Sequence, residues 1–258
     1  MENQYSSSEL KKALGDQNFL ILDNKYKKQL SNHPVVTNLF TIGNFFVIVA
    51  NIYDFRIELV RGDSEKVSGY SLEEIESRHA EFLFDFGLAE DMPFNMAVTK
   101  LGMEYSNNRP VEERELIFVV YFYRAKRKDD KVITIQHQAI PLYFDENNIP
   151  FIISNIITDI SYLGVTNIPH ALLINRFTHD IFHIDPNNFK LAKAEELFTT
   201  REREIIKLLF QGSNSYLIGK QLFISQETVR THRKNILRKA NLNNTSQLLG
   251  YAITHGII

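Results

Sequence analysis

The sequence predicts an α+β chain: an antiparallel sheet with short helices, followed by an all-α tail of four helices. Three observations carry that expectation. Strand-like segments come as two, then a helical stretch, then three, an order that builds antiparallel neighbours rather than the parallel sheet of strict strand–helix alternation. After Phe198 the apolar residues recur at helical spacing, bracketed by cap and stop residues. Charge divides at the same point. From Thr199 to Ile258 nine Lys/Arg stand against three Asp/Glu, +6, while the preceding 198 residues carry 20 basic and 28 acidic side chains, −8. That asymmetry points to a tail that meets a polyanion and a front that does not. A length of 258 residues allows two domains.

Residues 1–40 read as a mostly helical, polar extension, broken at His33-Pro34. Residues 41–163 form the front domain. Phe45–Ala50 and Phe55–Val60 are strands, and Arg61-Gly62-Asp63-Ser64 is a turn. Ser71 stands as the N-cap of Leu72-Glu73-Glu74-Ile75, and residues 81–107 are expected to be short helices. Leu116–Tyr123, Val132–Ile140 and Phe151–Ile157 supply the remaining strands, separated by a charged turn at Lys126–Lys131 and a loop at Pro141–Pro150. In the second of these, Ile133, Ile135, His137 and Ala139 share one side. Residues 164–193 are a linker or a small hairpin, with Leu172–Phe177 and Ile181–Ile184 turning at Thr178-His179-Asp180 and a linker signal at Asp185-Pro186-Asn187-Asn188.

Residues 194–258 form the tail. Thr199 caps a first helix with Glu202 near its positive end, and Gln211-Gly212-Ser213-Asn214 stops it. A second helix covers Ser215–Leu222, where Gly219 leaves room for another helix to pack close. Phe223-Ile224-Ser225 is a tight turn, and Ser225 caps a third helix from Gln226 to about Ala240. A fourth runs near Thr245–Thr254. On the third helix Val229, Ile236 and Leu237 face the core, while Gln226, Arg230, Lys234 and Arg238 recur every four residues and form one outward stripe, bordered by Glu227 and Thr231. A polar, cationic stripe starting at a helix N-terminus suits a major groove: Arg donates paired hydrogen bonds to guanine, and Lys and Thr reach bases or phosphates. Gln226, Glu227, Arg230, Thr231, Lys234 and Arg238 are therefore the candidate DNA-binding residues.

The tail resembles the LuxR/NarL-type helix-turn-helix family. The matching residues are Phe198-Thr199-Thr200-Arg201-Glu202, Gly212, Leu222-Phe223-Ile224-Ser225, Thr228-Val229-Arg230-Thr231-His232, Asn235-Ile236 and a terminal Gly256-Ile257-Ile258. The resemblance implies that Arg230, Thr231 and Lys234 touch double-stranded DNA and that the last helix pairs two copies into a homodimer. Ala240, Asn244-Thr245 and Tyr216-Leu217 depart from the family pattern. The front domain resembles a PAS domain, through Val67-Ser68-Gly69-Tyr70-Ser71-Leu72-Glu73-Glu74-Ile75 and Thr158-Asp159-Ile160-Ser161. That resemblance implies a sensor holding a small-molecule ligand, or a scaffold that pairs with a partner protein.

Other chemistries find little support. There is no cysteine, which excludes disulfides, thiolate metal sites and cysteinyl-flavin photochemistry, and no cofactor is identifiable. His79 and His137 are conceivable haem ligands, but a surface His79 and a His137 filling the sheet face is the better expectation, and no metal site is assigned. The alternative front domain is a phosphate receiver, whose parallel βαβ series needs an acidic pair that does not precede Asp54. A lactone pocket relies on tryptophan, and there is none. Gly212 to Lys220 only superficially suggests a phosphate loop, because six residues separate the glycines and Gln221 follows Lys220. No His-Glu-x-x-His or Gly-x-Ser-x-Gly occurs, so an enzyme is not expected. With no long apolar run and a polar start at Met1–Leu10, a cytoplasmic regulator without membrane contact is expected.

Overall fold

The computed structural model describes residues 30, 32–37, 43–165, 168–184, 189–193, 197–240, 242–254 and 257. Most of the expected N-terminal helical extension, and the turn expected at 185–188, lie outside the described residues. The described residues fall into two compact units. The first runs to Ile160 and takes in Ile168–Ala192; the second comprises Ser161–Val165 and Lys193 onward. Among the described residues no helix is long and apolar enough to cross a membrane.

After a short helix α1 (Pro34–Thr37), the first unit runs β1 (Phe45–Asn51), β2 (Ile57–Gly62), α2 (Ser64–Ser68), α3 (Leu72–Glu76), α4 (Phe82–Phe86), α5 (Met92–Asn107), α6 (Val111–Arg114), β3 (Ile117–Lys126), β4 (Val132–Phe144), β5 (Pro150–Asp159), β6 (His170–Asn175), β7 (Asp180–Ile184) and β8 (Leu191–Lys193). These strands make one sheet in the order β2-β1-β5-β4-β3-β6-β7-β8. Every pairing from β2 across to β7 is antiparallel. The expected α+β, PAS-like arrangement of two strands, helices and three strands is what the chain adopts, and the parallel receiver alternative falls with it.

Local chemistry explains the corners. Asn51 Oδ1 accepts the Tyr53 amide at 2.9 Å and turns β1 towards β2. Phe55, expected to begin the second strand, instead sits at φ 57° and 4% exposed, so β2 starts at Ile57. β2 also continues through Arg61 and Gly62, where a turn is expected, because both pair with β1. Ser71 caps α3 as expected, accepting the Glu74 amide at 3.1 Å while the Glu74 carboxylate takes the Ser71 amide at 2.9 Å. Asp145 Oδ1 accepts the amides of Asn147 and Ile149 at 2.9 and 2.8 Å and closes the β4–β5 turn.

Helices α2–α5 cover one sheet face. Phe46, Ile48, Val119, Ile133, Ile135 and Ile157 meet Phe82, Phe86, Phe94 and Val98 there in one apolar core. The opposite face gathers Val47, Val49, Phe151, Ile152 and Ile156 with Leu30 and Val36. The segment 170–184 is an integral hairpin, since β6 pairs with β3 from Ile117↔Asn175 to Phe122↔His170. Asn175 fastens it: its Nδ2 donates to the buried Glu113 carboxylate at 2.9 Å, and its Oδ1 accepts the Phe177 amide at 3.0 Å.

The second unit contains α7 (Thr200–Phe210), α8 (Ser215–Leu222), α9 (Gln226–Lys239) and α10 (Thr245–Thr254). Its core joins Phe198, Ile205, Ile206, Ile218, Val229, Ile236 and Leu248. A 3₁₀ turn at Ser161–Leu163 packs against α10.

Candidate functional site

The tail's geometry is set by its caps. Thr199 and Glu202 form a capping box, with the Thr199 amide donating to Glu202 Oε2 at 2.8 Å. The same oxygen receives Lys239 Nζ at 2.7 Å, which ties the start of α7 to the end of α9. Burial works against the Glu202 carboxylate, but its bonds to Lys239 and Thr199 prevail and hold its pKa below the usual range. Asn214 Oδ1 caps α8 by accepting the amides of Tyr216 and Leu217 at 3.1 and 3.0 Å. Phe223 ends α8 at φ 56° and is 95% exposed, and Ser225 Oγ then caps α9 through the Thr228 amide at 3.0 Å.

Gly219 leaves room, as expected from its small size, for the start of the neighbouring helix and above all for the turn that leads into it. A Cβ there would stand 2.8 Å from the carbonyl oxygen of Ile224, a backbone atom that cannot swing away. Gly219→Ala is expected to cost about 1–3 kcal/mol by forcing the turn outward. Urea unfolding of the full chain measures it, and a neutral or stabilised variant would show that the turn has slack.

Gln226, Glu227, Arg230, Thr231, Lys234 and Arg238 are all exposed on α9, opposite the buried Val229 and Ile236. Glu227 steadies two of them: its carboxylate accepts Arg230 Nη1 at 3.2 Å, and its carbonyl accepts Thr231 Oγ1 at 3.1 Å. Between this stripe and the start of α8 lies an open groove of about 590 Å³, lined by Asn214, Tyr216, Gln226, Arg230, Arg233 and Lys234 among others. Arg233 lies off the stripe and carries no sequence signal of its role. Its guanidinium bridges Ser215 Oγ and Thr245 Oγ1, each at 2.8 Å, and so clamps α8 and α10 onto α9. The arrangement presents cations and amide groups to a ligand while the clamp keeps the helix from rolling.

A half-open cavity of about 190 Å³ lies between the sheet of the first unit and α4–α5. Phe55, Phe84, Met92, Ile117, Val119 and Ile153 are among its walls, and no Asp, Glu, Lys or Arg lines it. One hydrogen-bonded chain crosses the sheet there. His137 Nε2 lies 2.9 Å from Asn155 Oδ1, which only accepts, so this nitrogen carries the proton. His137 Nδ1 then accepts from the Tyr123 hydroxyl at 3.2 Å. A second chain runs from the Tyr121 hydroxyl to Thr99 Oγ1 at 3.0 Å and on to the carbonyl of Asn95 at 2.9 Å. Burial pushes the Tyr121 phenol up to about 12 and raises Tyr123 as well. His137 thus fills the sheet face as expected, with both ring nitrogens engaged, and His79 is exposed.

Burial also lowers the His137 pKa to about 4. Between the ordinary value near 6.5 and 4 the unfolded chain binds the extra proton. His137 therefore supports the fold fully above pH 6.5, and this support is lost as pH falls through that window, by about 3 kcal/mol in total. Unfolding at pH 7 and pH 4.5 should show His137→Gln much less stable than the native chain at the first and closer to it at the second. A gap equal at both values would mean that the imidazole is not held neutral.

Residues 196–252 match the family model described as bacterial regulatory proteins, luxR family. These residues form a LuxR-type helix-turn-helix domain. Relatives of the LuxR-type domain include the transcriptional regulatory protein DegU of Brevibacillus brevis, 32% identical over 84 residues that make up 33% of this chain and 36% of that protein. They also include LiaR of Bacillus subtilis (strain 168), 41% identical over 61 residues, 24% of this chain and 29% of that one. The chain thus spans about a third of the length of the curated relatives it matches, 36% and 32% for the first two. Among solved structures, the Vibrio cholerae VqmA dimer, a LuxR-type receptor, is similar at 16% identity and a TM-score of 0.30, covering 88% of each chain. A PAS domain from Colwellia psychrerythraea covers 52% of this chain and 97% of its own at 18% identity and a TM-score of 0.34.

Within the LuxR-type domain the departures from the family pattern find definite places. Tyr216 and Leu217 are about half exposed, Tyr216 lining the groove, and Thr245 holds Arg233. Gly256 and Ile258 lie outside the described residues. Sequence reasoning missed Arg233, Asn95, Thr99 and Tyr121; Arg233 and the Thr99–Tyr121 pair acquire partners only across elements, and Asn95 receives Thr99 within α5.

Proposed function

We propose that this chain is a DNA-binding transcriptional regulator acting in the cytoplasm, whose PAS-like domain senses a small molecule and governs its LuxR-type domain. Two copies pair, and each lays the N-terminal half of α9 in a major groove, reading half-sites about one helical turn apart or a multiple of it. Arg230 and Lys234 meet bases or phosphates there, with Gln226, Glu227, Thr231 and Arg238 around them. The observation that supports this most is the exposure of all six residues on a helix whose other face is core. The half-open, largely apolar cavity of about 190 Å³ supports the sensing half over a scaffold without ligand.

Binding of the purified chain to genomic duplex fragments, followed by fluorescence anisotropy between 50 and 200 mM salt, tests the proposal. Affinity should fall steeply, because each phosphate neutralised releases counterions. A folded chain that binds no duplex at low ionic strength sinks it.

A further inference from the structure

α9 is rich in cations and carries a single acid, Glu227, in its first turn. A carboxylate on the face offered to DNA is repelled by the phosphates, and it lowers affinity unless the groove gives it a donor. The tail's other two acids are engaged elsewhere: Glu202 binds Lys239, and Glu204 binds Arg201. The Glu227 side chain is instead 76% exposed, and its Oε2 accepts Arg230 Nη1 at 3.2 Å. That bond makes a neutral unit with a donor end and an acceptor end. Neither side chain has another partner among the described residues, so Oε1 of Glu227 is left to accept while Nη2 and Nε of Arg230 are left to donate.

The major groove offers two kinds of donor, cytosine N4 and adenine N6. Their surroundings differ. Across a G·C pair the edge runs N7, O6, N4: two acceptors and then a donor. O6 and N4 are joined by a Watson–Crick hydrogen bond, so they lie about 2.9–3.0 Å apart. Arg230 Nη1 and Glu227 Oε2 stand at nearly that spacing, 3.2 Å. The guanidinium end can therefore face O6 and N7 while the carboxylate takes the outward hydrogen of N4. Across an A·T pair the donor N6 stands between two acceptors, N7 and O4, and the thymine methyl follows. There the carboxylate meets the lone pair of N7, and the guanidinium finds one acceptor and then the methyl.

We infer that Glu227 and Arg230 read one G·C base pair together, the guanidinium on guanine and the carboxylate on the cytosine paired with it. This rests on the DNA-reading function proposed above.

The test uses the full chain and duplexes that it enriches from a random pool. Each base pair of one half-site is changed in turn, and affinity is read by fluorescence anisotropy at one fixed salt concentration. At one G·C pair, exchange for A·T, T·A or C·G should weaken the native chain about tenfold or more. N4-methylcytosine in that pair keeps the Watson–Crick bonds and replaces only the outward hydrogen of N4. It should weaken the native chain and leave Glu227→Ala unaffected, a difference that a Glu227 serving only to steady Arg230 or the helix dipole would not produce. Arg230→Ala should lose most of the penalty for exchange at the same pair. Glu227→Ala should also bind an unrelated duplex more tightly than the native chain, because a charge that repels phosphate is gone. An equal response of native chain and Glu227→Ala to the methylated base overturns the inference. So does relaxation of different pairs by the two variants, or a half-site with no preferred G·C pair. In each of those cases the chain still binds DNA and the proposed function stands. If the pool yields no bound duplex at low ionic strength, that function falls and the inference with it. Should Glu227→Ala not fold, the response of the native chain to N4-methylcytosine decides.

Discussion

Replacing Arg230 and Lys234 together by alanine is expected to weaken duplex binding by about 2–5 kcal/mol without unfolding the protein. Each side chain alone should contribute about 1–3 kcal/mol if it meets a base, and two neighbours on one helix face need not add in full. Folding should be nearly untouched. Both residues are exposed, and the ion pair between Arg230 and Glu227 lies on the surface, where such i,i+3 contacts add a few tenths of a kcal/mol. Anisotropy titrations against one operator and one unrelated duplex separate the two modes of contact. A residue that reads a base narrows the gap between the duplexes when removed. One that meets only phosphate weakens both equally and lowers the salt slope by about one. Full affinity in the double variant, with folding intact, removes α9 as the reading helix.

That such an experiment can be designed from sequence reflects how local the tail's signals are. Thr199, Asn214 and Ser225 cap helices through amides two or three residues away, and Gly212 adopts φ 82° where the first helix stops. These contacts lie within one turn of chain, so the bounds expected for α8 and α10 are the ones adopted. The front domain is decided at longer range. α5 is a single helix of 16 residues where short helices were expected. Gly102 interrupts its apolar pattern, yet the missing Cβ is what lets Val119 of β3 approach, since a built Cβ would lie 2.8 Å from its side chain. Pro141, expected in a loop, lies within β4 at an irregularity in its register with β5. The hairpin β6–β7 is legible as a hairpin, but not its pairing with β3. The cavity is the least legible feature, because Asn95, Thr99 and Tyr121 meet across more than twenty residues and none belongs to a motif.

Arg124→Met should destabilise the first unit by about 3–5 kcal/mol, the cost of leaving a buried carboxylate without its partner. Asp91 sits at the N-cap of α5 with its side chain 1% exposed, yet it makes no helix cap. Its Oδ2 instead accepts the backbone amide and Nε of Arg124 on β3, at 2.9 and 3.0 Å, and Oδ1 accepts Nη2. The clasp therefore joins the helix that carries Asn95 and Thr99 to the strand that carries Tyr121 and Tyr123. The two partners are unequal: the Arg124 side chain is 37% exposed and can be hydrated when Asp91 is lost, whereas Asp91 cannot be hydrated when Arg124 is lost. Asp91→Ala should thus cost less than Arg124→Met, and the double variant less than the sum of the two. Urea unfolding of the four proteins closes the cycle. A cost below about 1 kcal/mol for Arg124→Met, the value of an ordinary surface ion pair, would mean that α5 is held to the sheet by its apolar face alone.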